Sequence, residues 1–128
     1  RLDDFGPYMR HRILAAYAYG PAALVRAQQA RAAIRSRLDA TFARVDLLST
    51  PSMPYPAPAL GDPARNTWFT GPFNALGWPA ITVPVGRTPE PERLPLGLQL
   101  VGRPWDDATV LRAAAVVETL GPWPGGHP

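Results

Sequence analysis

Residues 70–86, TGPFNALGWPAITVPVG, and residues 94–105, LPLGLQLVGRPW, decide the fold of this chain. Ile81, Val83 and Val85 fall on one side of an alternating run, and Leu96, Leu98 and Leu100 do the same in the second, so the period of two predicts strands over residues 80–85 and 96–101. The connection between them, GRTPEPERLP, is polar and proline-rich, as an exposed and irregular hairpin loop would be. Pro84 has no N–H to give a ladder, so a bulge or a missing bond is expected there. The opposite faces carry Ala80, Thr82, Gly97 and Val101, small or apolar enough to lie under a helix. A sheet covered on both sides needs more chain than this one provides. Just upstream, residues 66–76 (NTWFTGPFNAL) read as a short helix or irregular turn that points Trp68, Phe69 and Phe73 inward.

Further from this centre the pattern turns helical. Gly20-Pro21 opens a long helix, because an early proline loses no bond and its fixed φ suits the first turn. Leu24, Ala27, Ile34, Leu38, Phe42 and Val45 then recur at three- and four-residue steps, which carries the helix to about Arg44. A shorter helix is expected over residues 8–18. Residues 45–49 (VDLLS) read as a buried strand stopped by Thr50-Pro51, and residues 51–63 hold too many prolines for helix or ladder, predicting an extended loop. Pro51-x-x-Pro54 fits the loosest SH3-ligand pattern, but a rigid connection inside a domain is the commoner use of such a segment. Asp106 or Asp107 caps a last helix through Val110, Leu111, Ala114, Val117 and Leu120, which Gly121-Pro122 should end, leaving residues 121–128 loose.

Composition bounds the function. At 128 residues, 46% hydrophobic and 18% charged, the chain falls in the range of one globular domain. No apolar run is long enough to span a bilayer, and RLDDFGPYMR is no signal peptide; it reads as the middle of a longer chain. With no cysteine there is no disulfide framework and no thiolate nucleophile, which suits the reducing cytoplasm. His11 and His127 are too far apart in sequence to suggest a histidine metal site. All 13 basic residues are arginine, so the chain holds no lysine.

A net charge of +3 points only weakly to nucleic acid, and the arginines carry no interleaved aromatics on which bases could stack. On the long helix Arg26, Arg37 and Arg44 share a face away from Leu24, Ile34, Leu38 and Phe42, the arrangement of a solvated side. Arg31 falls inside the apolar arc and should be buried or half-buried with a partner. No serine suits nucleophilic catalysis: Ser36 is mid-helix, and Ser49 and Ser52 lack the neighbouring glycines that free a hydroxyl and supply oxyanion donors. Hydrogen bonds at caps and turns account for all three. A triad of His11 with Asp3 or Asp4 is formally possible, but an arginine-flanked helical histidine is commonly a surface residue. Asp106-Asp107 precedes an apolar helical run and reads as a cap rather than a metal-binding pair. The glycines never approach a phosphate-loop spacing.

The ordered motifs AQQAR, VDLLSTPSMPYPAP, FTGPFNALGWPAITVPVG and LPLGLQLVGRPWDDATVLRAAAVVE resemble the C-terminal part of the amidase signature family, over roughly residues 10–118. The resemblance implies an α/β/α sandwich on a mixed β-sheet, incomplete in this chain, with residues 1–128 as the C-terminal part of a single amidase domain. It implies hydrolysis of a carboxylic amide, or glutamine amidolysis in the A subunits of tRNA-dependent amidotransferases. That family uses a serine nucleophile, a second serine in a cis peptide and a lysine base, needs no cofactor, and takes its oxyanion donors from a Gly/Ser-rich loop. A neutral, desolvated lysine can draw the proton through the bridging serine without histidine.

None of that machinery can be built from these residues, so no catalytic position is assigned in this chain. What the resemblance does assign is a place along the substrate cavity for the segment around Thr70, Phe73, Asn74 and Trp78, an apolar wall with few polar anchors. The implied partners are a small-molecule amide and either a second copy or amidotransferase subunits, with neither nucleic acid nor membrane. Two other readings compete: a non-catalytic binding or assembly module that keeps part of the fold, which would leave large apolar patches, and an arginine-rich nucleic-acid binder, which would show steep salt dependence.

Overall fold

A computed structural model describes residues 1–62 and 67–120. Its elements are helices α1 (Pro7–Tyr17) and α2 (Pro21–Phe42), strand β1 (Leu48–Pro51), helix α3 (Gly71–Leu76), strands β2 (Ala80–Arg87) and β3 (Pro95–Val101), and helix α4 (Asp107–Leu120). The chain divides into two compact units, residues 1–37 and 38–128, with the boundary inside α2. The expected stop of the last helix at Gly121-Pro122, the loose tail, His127 and residue 66 of the aromatic segment lie outside the described residues.

The first unit is helical. Pro7 and Pro21 stand at the starts of α1 and α2, where a missing N–H is harmless. Arg26 and Arg37 are exposed and Arg31 is half-buried, as the wheel requires. The apolar arc of α2 behaves differently from its reading: Leu24 is 63% exposed and Ile34 is exposed too. The helix also stops at Phe42 rather than Arg44.

The second unit holds a three-stranded antiparallel sheet in the order β1-β3-β2, so the strand in the middle is the last in sequence. The two main strands fall where the alternation places them, and the expected irregularity is present: the β2–β3 register shifts between Pro84 and Gly86. The shift turns Val85 out to an exposed position, which corrects its assignment to the face of Ile81 and Val83. Strand β1 lies two to three positions beyond the expected 45–49 and is a half-buried edge strand. Pro51 is tolerated in it because an edge strand need not donate on both sides.

Each face of the three-stranded sheet has a partial cover from within this chain, which corrects the expectation that covering both faces needs more chain: the sheet is small enough for one helix and one aromatic cluster to reach it. On one face, Val83 and Leu100 meet Ala114, with Ile81, Leu98, Ala113 and Val117 packed around them. On the other, Val101 packs with Phe42, Leu76 and Trp78, backed by Leu38, Leu48 and Phe73. Asp106 Oδ1 accepts the Thr109 N–H at 3.3 Å, so Asp106 is the N-cap of α4. Leu111 and Leu120, expected to face inward, stay exposed, since only one stripe of α4 reaches the sheet.

Candidate functional site

The segment that carries the proposed wall residues is shaped by its own backbone. Gly77 lies in the left-handed region at φ +69°, its N–H bonds to Asn74 O at 3.2 Å, and Trp78 N–H reaches back to Phe73 O at 3.1 Å. This pair of bonds is a Schellman motif, which needs a residue without a Cβ penalty and brings the next side chain back against the helix. Trp78 accordingly returns to the core, 5% exposed, its ring edge-on to Phe42 with centroids 5.1 Å apart and planes at 71°. Its Nε1 is buried without a hydrogen-bond partner among the described residues.

Phe73 and Trp78 are therefore brought together in one cluster, and Thr70 and Asn74 flank them. Thr70 is half-buried at the N-cap position of α3 and its side chain makes no capping bond, whereas Asn74 is exposed. Phe69 is half-buried, but Trp68 is 64% exposed and not inward as its type suggested, because the turn preceding α3 rotates it away.

Under this segment runs a polar strip on the sheet. Gln99 sits on the central strand, 2% exposed, and its Nε2 donates to Thr50 Oγ1 at 3.0 Å and to Phe69 O at 2.9 Å. One carboxamide thus ties β3, β1 and the turn before α3. Ser52 Oγ donates to Gly97 O at 3.1 Å, a structural bond of the kind expected for it. Gly97 has no room for a side chain, since a Cβ there would lie 2.7 Å from Thr82 Cγ2 and against Ser52 Oγ.

Sequence reasoning passed over Gln99 and Arg103. For Gln99 the available signal was an amide placed between Leu98 and Leu100 in an otherwise apolar strand. Arg103 Nη2 donates to Phe42 O at 2.7 Å and Val45 O at 3.2 Å and lies 3.5 Å from Asp46 Oδ1, a cation at the C-terminal end of α2. These bonds tie the segment between α2 and β1 to the residues just after β3, and β1 begins at Leu48, opposite Val101, where its partner strand ends.

A separate cleft of about 580 Å³ opens between the proline-rich segment at Met53 and Tyr55 and the strand ends at Leu96 and Leu98. None of Thr70, Phe73, Asn74 and Trp78 lines it. His11 is exposed, and Asp3 and Asp4 pair with Arg10 and Arg1 at 3.4 and 3.1 Å, so no triad forms there. Among the described residues no group of three or more His, Asp or Glu could hold a metal ion, and no helix is long and apolar enough to cross a membrane. What this arrangement offers, among the described residues, is an aromatic cluster and a buried carboxamide that ties the turn before α3 to the sheet.

The family model for amidases matches residues 2–111. The chain belongs to the amidase signature family. Among curated amidase relatives, the A subunit of glutamyl-tRNA(Gln) amidotransferase from Chloroflexus aurantiacus is 41% identical over 96% of this chain and 27% of its own length. Its counterpart from Methanosarcina mazei is 37% identical over 92% of this chain and 27% of its own. A solved amidase structure superposes with a TM-score of 0.80 at 31% identity, covering 91% of this chain and 29% of that one. The solved glutamyl-tRNA(Gln) amidotransferase A subunit of Thermotoga maritima gives a TM-score of 0.69 at 32% identity over 93% and 28%. A protein from a vestigial complex related to the origins of an s-triazine catabolic enzyme gives 0.81 at 30% over 94% and 29%. The chain thus spans about 27% of the length of the curated relatives it matches, and its α/β arrangement corresponds to part of the solved amidase structures.

Proposed function

We propose that these residues are the C-terminal part of an amidase domain, an α/β/α sandwich on a mixed sheet, and supply scaffold and substrate-pocket wall to an enzyme that hydrolyses carboxylic amides. The observation that carries this reading is membership of the amidase signature family in a chain without a single lysine. The serine nucleophile, the bridging serine and the lysine base then belong to sequence outside these residues, and the chemistry calls for no cofactor. Thr70, Phe73, Asn74 and Trp78 form the wall. Phe73 and Trp78 give it apolar mass, Thr70 and Asn74 give it polar anchors, and the unmet Trp78 Nε1 fits a donor whose acceptor comes from outside the described residues.

A second reading, the A subunit of a glutamine-using tRNA amidotransferase, is supported by 41% and 37% identity to two such A subunits. It would bring the other amidotransferase subunits as partners and place the protein in the cytoplasm.

Fragment complementation separates these ideas. A relative truncated before the segment that matches residues 2–111 is mixed with this chain, and ammonia release is followed from glutamine and from simple aliphatic amides. The chain alone should release none, and the mixture should release ammonia. Preference for glutamine would favour the amidotransferase reading. Ammonia from the isolated chain, or a bound but silent complex, would defeat the proposal.

A further inference from the structure

We propose that Gln99 is a positioning residue for the substrate wall: its carboxamide fixes the Phe69–Thr70 peptide against the sheet and so sets where Thr70 and Asn74 stand. The inference rests on the reading above that residues 70–78 line the substrate cavity.

Gln99 lies on the middle strand, paired on one side with Thr50 and on the other with Thr82. Packing alone does not call for an amide there, since Val101 on the same face is met by Phe42, Leu76 and Trp78. A buried carboxamide must regain the hydrogen bonds it gave up to water, and this one directs Nε2 to Thr50 Oγ1 and to the Phe69 carbonyl. The amide orientation is fixed by chemistry, because a carbonyl oxygen can only accept and therefore must face the NH₂ end. The Thr50 hydroxyl takes the second contact, which stops the amide from rotating away. At the other end of the segment the Gly77 motif seats Trp78 in the core. The wall is thus pinned at Phe69 by a side chain and at Trp78 by packing, and Thr70 to Asn74 form the span between the pins. The Phe69 anchor is the more selective of the two, because losing it frees the Thr70 end without emptying the core.

Hydrogen exchange followed by mass spectrometry on the full chain tests the anchor. Gln99→Met keeps the volume and removes both donors; amides of residues 67–76 should exchange at least about ten-fold faster while the β2–β3 ladder keeps its protection. Thr50→Val removes only the orienting acceptor and should give a smaller acceleration in the same segment, which keeps the test valid should Gln99→Met not fold. Unchanged exchange in residues 67–76, or equal acceleration everywhere, overturns the proposal. In the complemented enzyme, Gln99→Met should raise KM by about ten-fold with kcat changed less than about two-fold. A fall in kcat at constant KM would also overturn it. The exchange result is read without substrate, so it stands apart from the wall reading, which fails instead if the complemented wild-type enzyme releases no ammonia.

Discussion

Gly97 reads in the sequence as a residue small enough to lie under a helix, and in the fold it is the point where the side chains of Ser52, just past β1, and Thr82 of β2 converge on the central strand. A methyl group there meets Thr82 Cγ2 at 2.7 Å and the Ser52 hydroxyl, which is itself bonded to Gly97 O at 3.1 Å. Gly97→Ala is therefore expected to cost about 2 kcal/mol in urea unfolding, the usual penalty for overfilling a packed site. Gly86→Ala, where nothing lies within 4 Å, should stay within about 0.5 kcal/mol of the wild type. Single residues were the least legible level of this chain. Trp68 and Phe69 are neighbours of the same type, and only the rotation of a turn decides that one is exposed and the other half-buried. Gln99 went unread for a related reason: a strand's second face is assigned by what covers it, and the acceptor on Phe69 is 30 positions away.

Elements fared better because their signals are local. The N-cap of α4 was visible as an Asp-Asp pair before an apolar run, and the structure gives the role to Asp106. Asp106→Ala should lower stability by about 1 kcal/mol, and Asp107→Ala, left to its interaction with the helix dipole, by about half of that or less. Chemical denaturation of both variants checks the order; equal losses would contradict the assignment. The bulge after Pro84 and both main strands were likewise readable, since proline's missing donor and the period of two act within a few residues. Strand β1 was misplaced because its start is set from elsewhere: Leu48 pairs with Val101, the last residue of β3, and Arg103 just beyond ties down the carbonyls of Phe42 and Val45 from 61 and 58 positions away. A contact of that range leaves no trace in a local pattern.

For the whole molecule, the apolar surface is the informative quantity. Large side chains stand exposed on α4 at Val116 and Leu120 and on α2 at Leu24, Val25 and Ile34. Such surface suits residues covered by more protein, as the proposed amidase domain would provide. The isolated chain should accordingly bind the dye ANS and self-associate with rising concentration in sedimentation, and Val116→Glu should reduce both while changing stability by no more than about 0.5 kcal/mol. The amidase family was legible from ordered motifs because they report a shared backbone path, whereas the chemistry was legible only through what the chain lacks. The most direct test grafts this chain in place of the matching segment of the Chloroflexus aurantiacus relative, to which it is 41% identical, and measures ammonia release with and without the host's catalytic lysine. The account predicts release from the graft that is abolished when that lysine is replaced. Release that survives the replacement would mean that these residues supply catalysis themselves, and would contradict it.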